Sequence, residues 1–158
     1  SKEIAPFVLV LDNIRSAHNV GAAFRTADAF AIEKIMLCGI TAQPPHREIL
    51  KTAIGASQSI SWEYEKENVI ALEKLKVEGY KIVGVEQTNA SILLQEASIL
   101  ASEKYALVFG NEVQGIDNKL LPLLDYSLEI PQFGTKHSLN VSVSLGIVLW
   151  EYFKAWKY

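Results

Sequence analysis

The stretch Ile130-Pro-Gln-Phe-Gly-Thr-Lys-His-Ser-Leu-Asn-Val-Ser-Val-Ser-Leu-Gly146 carries polar residues where a plain core segment would not put them. Pro131 and Gly134 break the chain just after an apolar run. Ser138 and Asn140 then open a strongly apolar segment that runs to the C-terminus. A turn that presents backbone groups, followed by a helix start rich in Ser and Asn, suits a polar small molecule. An isolated Ser-x-Asn is by itself most often a helix cap. Two further segments shift that reading.

Upstream, Ala106-Leu-Val-Phe-Gly-Asn-Glu-Val-Gln-Gly-Ile116 reads as a buried strand, a glycine-bracketed polar turn and the start of a helix. Gly110 and Gly115 resemble the ends of a phosphate loop. Ile116 and Asp117 stand where its Lys and Ser/Thr would be, so no Walker A motif is present. Asn111 and Glu112 lie just past a strand end, where open α/β sheets bind ligands. Near the start, the apolar run Phe7–Leu11 meets a polar loop from Asp12 to Asn19, and a helix follows. Val20, Phe24 and Ala27 form its i, i+4, i+7 stripe, and Arg25 stands off the centre of that stripe. A lone helix Arg is ordinarily a solvated charge.

Taken together, the three segments resemble the SpoU (TrmH-like) family of RNA ribose 2'-O-methyltransferases, within the SPOUT superfamily. Asn19-Val-Gly-Ala with Arg25 matches the first motif of the family. Phe109-Gly-Asn-Glu-Val-Gln-Gly115 matches the second. Ile130-Pro-Gln with Ser138-Leu-Asn-Val-Ser-Val143 matches the third. Order and spacing agree from about Phe7 to about Tyr152. Gln132 departs from the pattern, because family members often carry Met there, which makes one pocket wall more polar.

The bulk properties are compatible with that resemblance. A chain of 158 residues, 49% apolar and 21% charged, suits one soluble domain with a real core. A single domain over residues 1–158, with no appended RNA-binding domain, is expected. No apolar stretch is long and clean enough to span a bilayer, and no signal peptide is visible, so no membrane partner is expected. Cys38 is the only cysteine, which excludes an internal disulfide and a multi-Cys zinc site. A reducing, cytoplasmic location fits. The net charge of -3 speaks against a simple nucleic-acid binder. Local distribution matters more, because screening acts over about 8–10 Å. Glu63, Glu65, Glu67, Glu73 and Glu78 cluster mid-chain, whereas Arg15, His18, Arg25, Arg47, Lys51, Lys136 and His137 lie in or near the site segments.

Strand-like runs are expected at Phe7–Leu11, Lys34–Cys38, Ser59–Tyr64, Lys81–Val85, Tyr105–Phe109 and Ser127–Ile130. Helix-like stretches fall at Asn19–Phe30, Arg47–Ala53, Glu67–Glu78, near Leu93–Ala97, at Ile116–Leu124 and at Ser138–Trp156. This alternation predicts an α/β fold with a mostly parallel sheet flanked by helices. Val141-Ser-Val-Ser alternates like a strand, but the length of the apolar segment favours helix. That helix is apolar nearly all round, so it needs burial on more than one side, and a second subunit is the expected cover. The resemblance implies a homodimer on this helix. It also implies a deep trefoil knot, in which the C-terminal segment threads a loop (the α/β-knot fold), a topology that connection rules would not suggest.

The reaction implied is methyl transfer from S-adenosylmethionine to a ribose 2'-hydroxyl of RNA, with S-adenosylhomocysteine as product. No metal is required, and His18, His46 and His137 lack a ligand pattern. The cofactor is expected in a cup formed by Val85, Glu86 and Gln87, by Gly110 and Asn111, and by Ile130, Gln132, Ser138 and Leu139. Gly110 is expected to allow close approach of the ligand. The expected catalytic set is Arg25, Asn19, Glu112, Ser138 and Asn140. The resemblance makes Arg25 the key residue. Its high pKa argues against a general base and for a phosphate grip that orients the ribose. Asn19 is expected to position Arg25 or the RNA. Glu112 is expected to accept N–H groups at the following helix start. Ser138 and Asn140 are expected to fix the cofactor loop.

Transfer RNA is favoured over ribosomal RNA, because the shorter relatives act mainly on tRNA. The rivals are a non-catalytic RNA-binding module that keeps the fold, a different small-molecule enzyme on an α/β scaffold, and methylation of a base nitrogen.

Overall fold

In strand β1 (Ala5–Asp12), Phe7, Leu9 and Leu11 point to one apolar cluster and Val8 and Val10 to another. Both faces are therefore covered, which is why the run is continuously apolar and not alternating. The computed structural model describes residues 3–135 and 138–158. The remaining strands are β2 (Ile32–Cys38), β3 (Trp62–Glu65), β4 (Tyr80–Val85), β5 (Ile92–Leu93), β6 (Lys104–Phe109) and β7 (Tyr126–Glu129). They form one seven-stranded sheet in the order β3-β2-β1-β6-β4-β7-β5. Every pairing is parallel. The α/β expectation therefore holds.

Helices α1 (Ala17–Ala29), α2 (Arg47–Ala53), α3 (Ala56–Ser59) and α5 (Val141–Lys157) contribute to the larger cluster on one face. Helix α4 (Asn68–Val77) and a 3-10 helix at Asn118–Leu123 contribute to the other. A buried polar junction pins that second layer. Asn68 Nδ2 donates to Asp12 Oδ2 at 3.0 Å and to Asp117 Oδ2 at 3.1 Å. Burial pushes the Asp12 carboxyl above its ordinary range, against the Asn68 hydrogen bond.

Four expectations need adjusting. The run Ser59–Tyr64 is divided: Ser59 ends α3, and β3 begins only at Trp62. The segment Ile116–Leu124 is not an α-helix. Pro122 lies inside it and cannot donate to the preceding turn, so the chain takes a short 3-10 form capped by Asp117. Near Leu93, a 3-10 turn at Leu94–Glu96 follows the two-residue β5. The last helix starts at Val141 and not at Ser138, because Asn140 keeps an extended ψ of 142° and caps it.

Along α5, Leu145, Val148, Leu149 and Tyr152 are buried against the sheet. Tyr152 packs edge-on to Phe7 and Tyr105, and its hydroxyl meets that of Tyr126 at 2.8 Å. Burying such side chains is worth roughly 1.5–3 kcal/mol each. Val143, Ile147 and Trp150 form an i, i+4, i+7 stripe left 38–49% exposed. Lys136 and His137, between β7 and α5, lie outside the described residues.

Candidate functional site

The carboxyl ends of β4, β6 and β7, together with the start of α5, enclose a cup of about 410 Å³. Small-molecule sites run from roughly 300 to 1,000 Å³. The position follows from topology. The chain runs outward from β1 through β2 to β3, returns as β4 on the other side, and later inserts β6 between β1 and β4. Ligand crevices form where strand order reverses in this way.

All nine expected cofactor residues line the cup. Val85, Glu86 and Gln87 come from the end of β4, and Gly110 and Asn111 from the end of β6. Ile130, Gln132, Ser138 and Leu139 come from the last loop. Of the expected catalytic residues, Glu112, Ser138 and Asn140 also line it, whereas Asn19 and Arg25 do not. Val113, Glu129 and Ser144 line the cup without having been singled out from sequence. Helical spacing from Asn140 could have flagged Ser144 at i+4, whereas strand alternation sets Glu129 opposite Ile130 and gave no such signal.

The turn after β6 is closed on itself. Asn111 and Gly115 exchange backbone hydrogen bonds at 3.0 and 2.9 Å. Asn111 Oδ1 accepts the N–H groups of Val113 and Gln114, both at 2.9 Å. A Cβ at Gly110 would sit 2.5 Å from the Gly115 carbonyl and the Ile116 nitrogen. Gly110 is thus required by the turn itself, and the space over it is filled by this chain and not by a ligand. Gly115 has φ +75°, and a Cβ there would lie 2.1 Å from Glu86 Oε1. That same oxygen accepts the Ile116 N–H at 2.8 Å.

Glu112 does not cap the segment that follows it. It reaches back to the entry of α1. Oε1 accepts the Arg15 N–H at 2.9 Å, and Oε2 accepts the Ser16 N–H at 3.0 Å. The expected partner, the backbone after the turn, is already held by Glu86. Burial alone would raise the Glu112 carboxyl. The Arg15 and Ser16 N–H bonds, helped by Asn19, outweigh it and hold the group below the usual carboxylate range. Asn19 is buried, and its Nδ2 lies 3.4 Å from Glu112 Oε2. Its amide therefore addresses Glu112 and not Arg25. Asn111 Nδ2 adds a third tie, to the Asn13 carbonyl at 2.8 Å.

The opposite wall is built differently. Among the described residues, the loop 131–139 makes no hydrogen bond to the rest of the chain. Gln132, Phe133, Gly134, Thr135, Ser138 and Leu139 are exposed. Asn140 closes this wall by capping α5, its Oδ1 accepting the Ser142 N–H at 2.8 Å. The cap and the site role fall on one residue.

The lining carries three charged residues, the carboxylates Glu86, Glu112 and Glu129, and no Lys or Arg among the described residues. Lys136 and His137 lie outside the described residues. An anionic, phosphate-bearing nucleotide would meet like charge there. A sulfonium cofactor, which presents positive charge and an uncharged adenosine, is complementary. Among the described residues no group of three His, Cys, Asp or Glu could hold a metal ion. Arg25 lies on the exposed side of α1, outside the cup.

Similarity to known proteins extends across almost the whole chain. The SpoU rRNA Methylase family description matches residues 6–150. The 23S rRNA (guanosine-2'-O-)-methyltransferase RlmB of Neisseria meningitidis serogroup B is 33% identical over 92% of this chain and 57% of its own length. The mouse tRNA (guanosine(18)-2'-O)-methyltransferase TARBP1 is 33% identical over 96% of this chain but only 10% of its own. An AdoMet-bound rRNA methyltransferase from Sinorhizobium meliloti superposes with a TM-score of 0.86 at 26% identity, covering 94% of this chain and 56% of that one. The chain thus spans little more than half the length of these two bacterial relatives. The family match spans nearly the whole chain, a solved methyltransferase shares its fold, and the protein belongs to the SpoU rRNA Methylase family.

Proposed function

We propose that this chain transfers a methyl group from S-adenosylmethionine to a ribose 2'-hydroxyl of RNA, with tRNA as the first substrate. The observation that carries the reading is the carboxylate-lined cup, tied through Glu112 to the entry of the helix that bears Arg25. A tRNA-modifying relative at 33% identity supports the choice of RNA. A ribosomal substrate is the second reading, since a 23S rRNA enzyme is equally similar.

When bound, the cofactor supplies an electrophilic methyl on a positively charged sulfur. Glu86, Glu112 and Glu129 favour that charge, and backbone groups at Val85–Gln87 and near Ile130 read the uncharged base edge. Glu112 and Asn19 fix the start of α1 and so the direction in which Arg25 points. The Arg25 guanidinium grips a phosphate of the target nucleotide and orients the ribose. The hydroxyl proton would pass to a phosphate oxygen, and the ribose oxygen would take the methyl as the methyl–sulfur bond breaks, with S-adenosylhomocysteine leaving.

The test is transfer from labelled S-adenosylmethionine to unmodified tRNA and rRNA, read by nucleoside mass spectrometry. A labelled 2'-O-methylnucleoside is expected. Arg25→Ala should lower transfer by at least roughly hundredfold while cofactor affinity stays within a few-fold. Cofactor binding without any transfer would favour an RNA-binding module, a methylated base would move the reaction elsewhere, and no cofactor binding would sink the reading.

The same proposal includes a homodimer through α5, whose Val143, Ile147 and Trp150 stripe is uncovered in one chain, and the knot that accompanies it in the family. Trp150→Glu should convert a sedimenting dimer to monomer, and an unchanged mass would remove α5 from the interface.

A further inference from the structure

Arg15, Arg25 and Arg47 are the only arginines of the chain, and all three belong to α1, its entry and α2. Each is exposed. None forms an ion pair among the described residues, whereas Lys34, Lys74, Lys76, Lys119, Lys154 and Lys157 all do. Lys51 and His18 are exposed on the same two helices, and Lys51 is likewise without a carboxylate partner among the described residues.

The two helices meet closely enough to make one surface. A Cβ at Gly21 would fall 1.8 Å from Thr52 Oγ1 and 2.8 Å from the Ile49 carbonyl. Thr52 Oγ1 also donates to the His18 carbonyl at 3.2 Å. His18 and Arg25 stand at i−3 and i+4 from Gly21, so both border this seam. On α2, Ile49 and Ala53 turn inward, and Arg47, Leu50 and Lys51 remain exposed on one face. Arg47 and Lys51 are one turn apart, a rise of about 6 Å. The acids on these two helices are Glu48 and Asp28, both partly covered. The larger acidic group, Glu63 to Glu78, sits on β3, α4 and their borders.

We infer that the α1–α2 surface is a phosphate track for the RNA substrate, in which Arg47 and Lys51 hold backbone phosphates away from the reacting ribose. This rests on the proposed RNA reaction and deepens it. Guanidinium forks match phosphate oxygens, and unpaired cations need not first break a salt bridge to bind them. Such contacts position the RNA without reading sequence. They also fit a chain of net charge -3: four cations without a carboxylate partner among the described residues, Arg15, Arg25, Arg47 and Lys51, are gathered on one seam.

The experiment compares the wild type with Arg47→Glu/Lys51→Glu and with the milder Arg47→Gln/Lys51→Gln. It measures the KM for RNA, kcat, cofactor Kd and the salt dependence of RNA binding. The track predicts a KM for RNA raised tenfold or more in the Glu pair, with kcat and cofactor Kd within about twofold. In both pairs the slope of log K against log salt should fall by about two. An unchanged KM and an unchanged slope in either pair would overturn it. Equal loss of cofactor affinity and melting temperature in both pairs would also overturn it, by making α2 a structural support. A wild type that binds cofactor but neither binds nor methylates RNA would instead defeat the parent reading, before any variant is made.

Discussion

The two walls of the cup are made of similar residues and are built in opposite ways. On one side, the turn 110–116 spends its polar groups inside the protein: Asn111 on Gly115 and Asn13, Glu86 on Ile116, Glu112 on Arg15 and Ser16. On the other, residues 131–139 leave theirs unused among the described residues. A hydrogen-bonded wall is ready before the ligand arrives, whereas an unbonded wall gains partners from the ligand and loses conformational freedom on binding. Half of this site is held by the protein's own hydrogen bonds, and half is without them among the described residues.

The largest way to break that contrast is Gly110→Ala. The added methyl has no room against the Gly115 and Ile116 backbone, so the turn must open. Stability should fall by about 1–3 kcal/mol, and calorimetry should show cofactor affinity reduced at least tenfold. Retained affinity would mean that this wall need not be preformed. Next in size is the response to cofactor. Amide exchange at Gln132, Phe133, Thr135, Ser138 and Leu139 should slow at least tenfold on adding S-adenosylmethionine, while Val113, Gln114 and Ile116 change less than twofold. Equal protection of both walls would erase the distinction. The smallest effect is Glu112→Gln, which keeps the shape but loses charge-assisted bonds, at about 1 kcal/mol near neutral pH. Because the folded-state pKa of Glu112 is depressed, its contribution is complete above the unfolded value, about 4.3. It is lost as pH falls through the lower folded value. The stability gap between wild type and Glu112→Gln should therefore close in acid. A gap that widens there would contradict the depressed pKa.

Much of this was legible in the sequence, for physical reasons. A parallel strand buried on both faces writes itself as an apolar run, so β1, β2, β4 and β6 stood out. Loop residues at strand ends followed from the same boundaries, and every expected cofactor contact lines the cup. Pairings remote in sequence were not legible. Nothing local in Glu112 indicates that it will cap a backbone 96 and 97 positions earlier, and nothing in Asn19 indicates that its amide will support that carboxylate. Helix starts also slipped. Ser138 and Asn140 are both good caps, and only the extended backbone at Asn140 decides between them. Pro122 was in view, but an apolar run around it still reads as helix until packing shows how short the turn is.

Helix α5 carries Val141 and Ser144 into the cup on one side and Val143, Ile147 and Trp150 to the outside on the other. One rigid rod thus borders both the ligand and the face proposed for a second subunit. Any shift that ligand binding imposes on its first turn is also a shift of that outer face, and thermodynamic reciprocity then makes the coupling run both ways. Affinity for the cofactor would be a function of protein concentration, so dilution alone could act as an inhibitor.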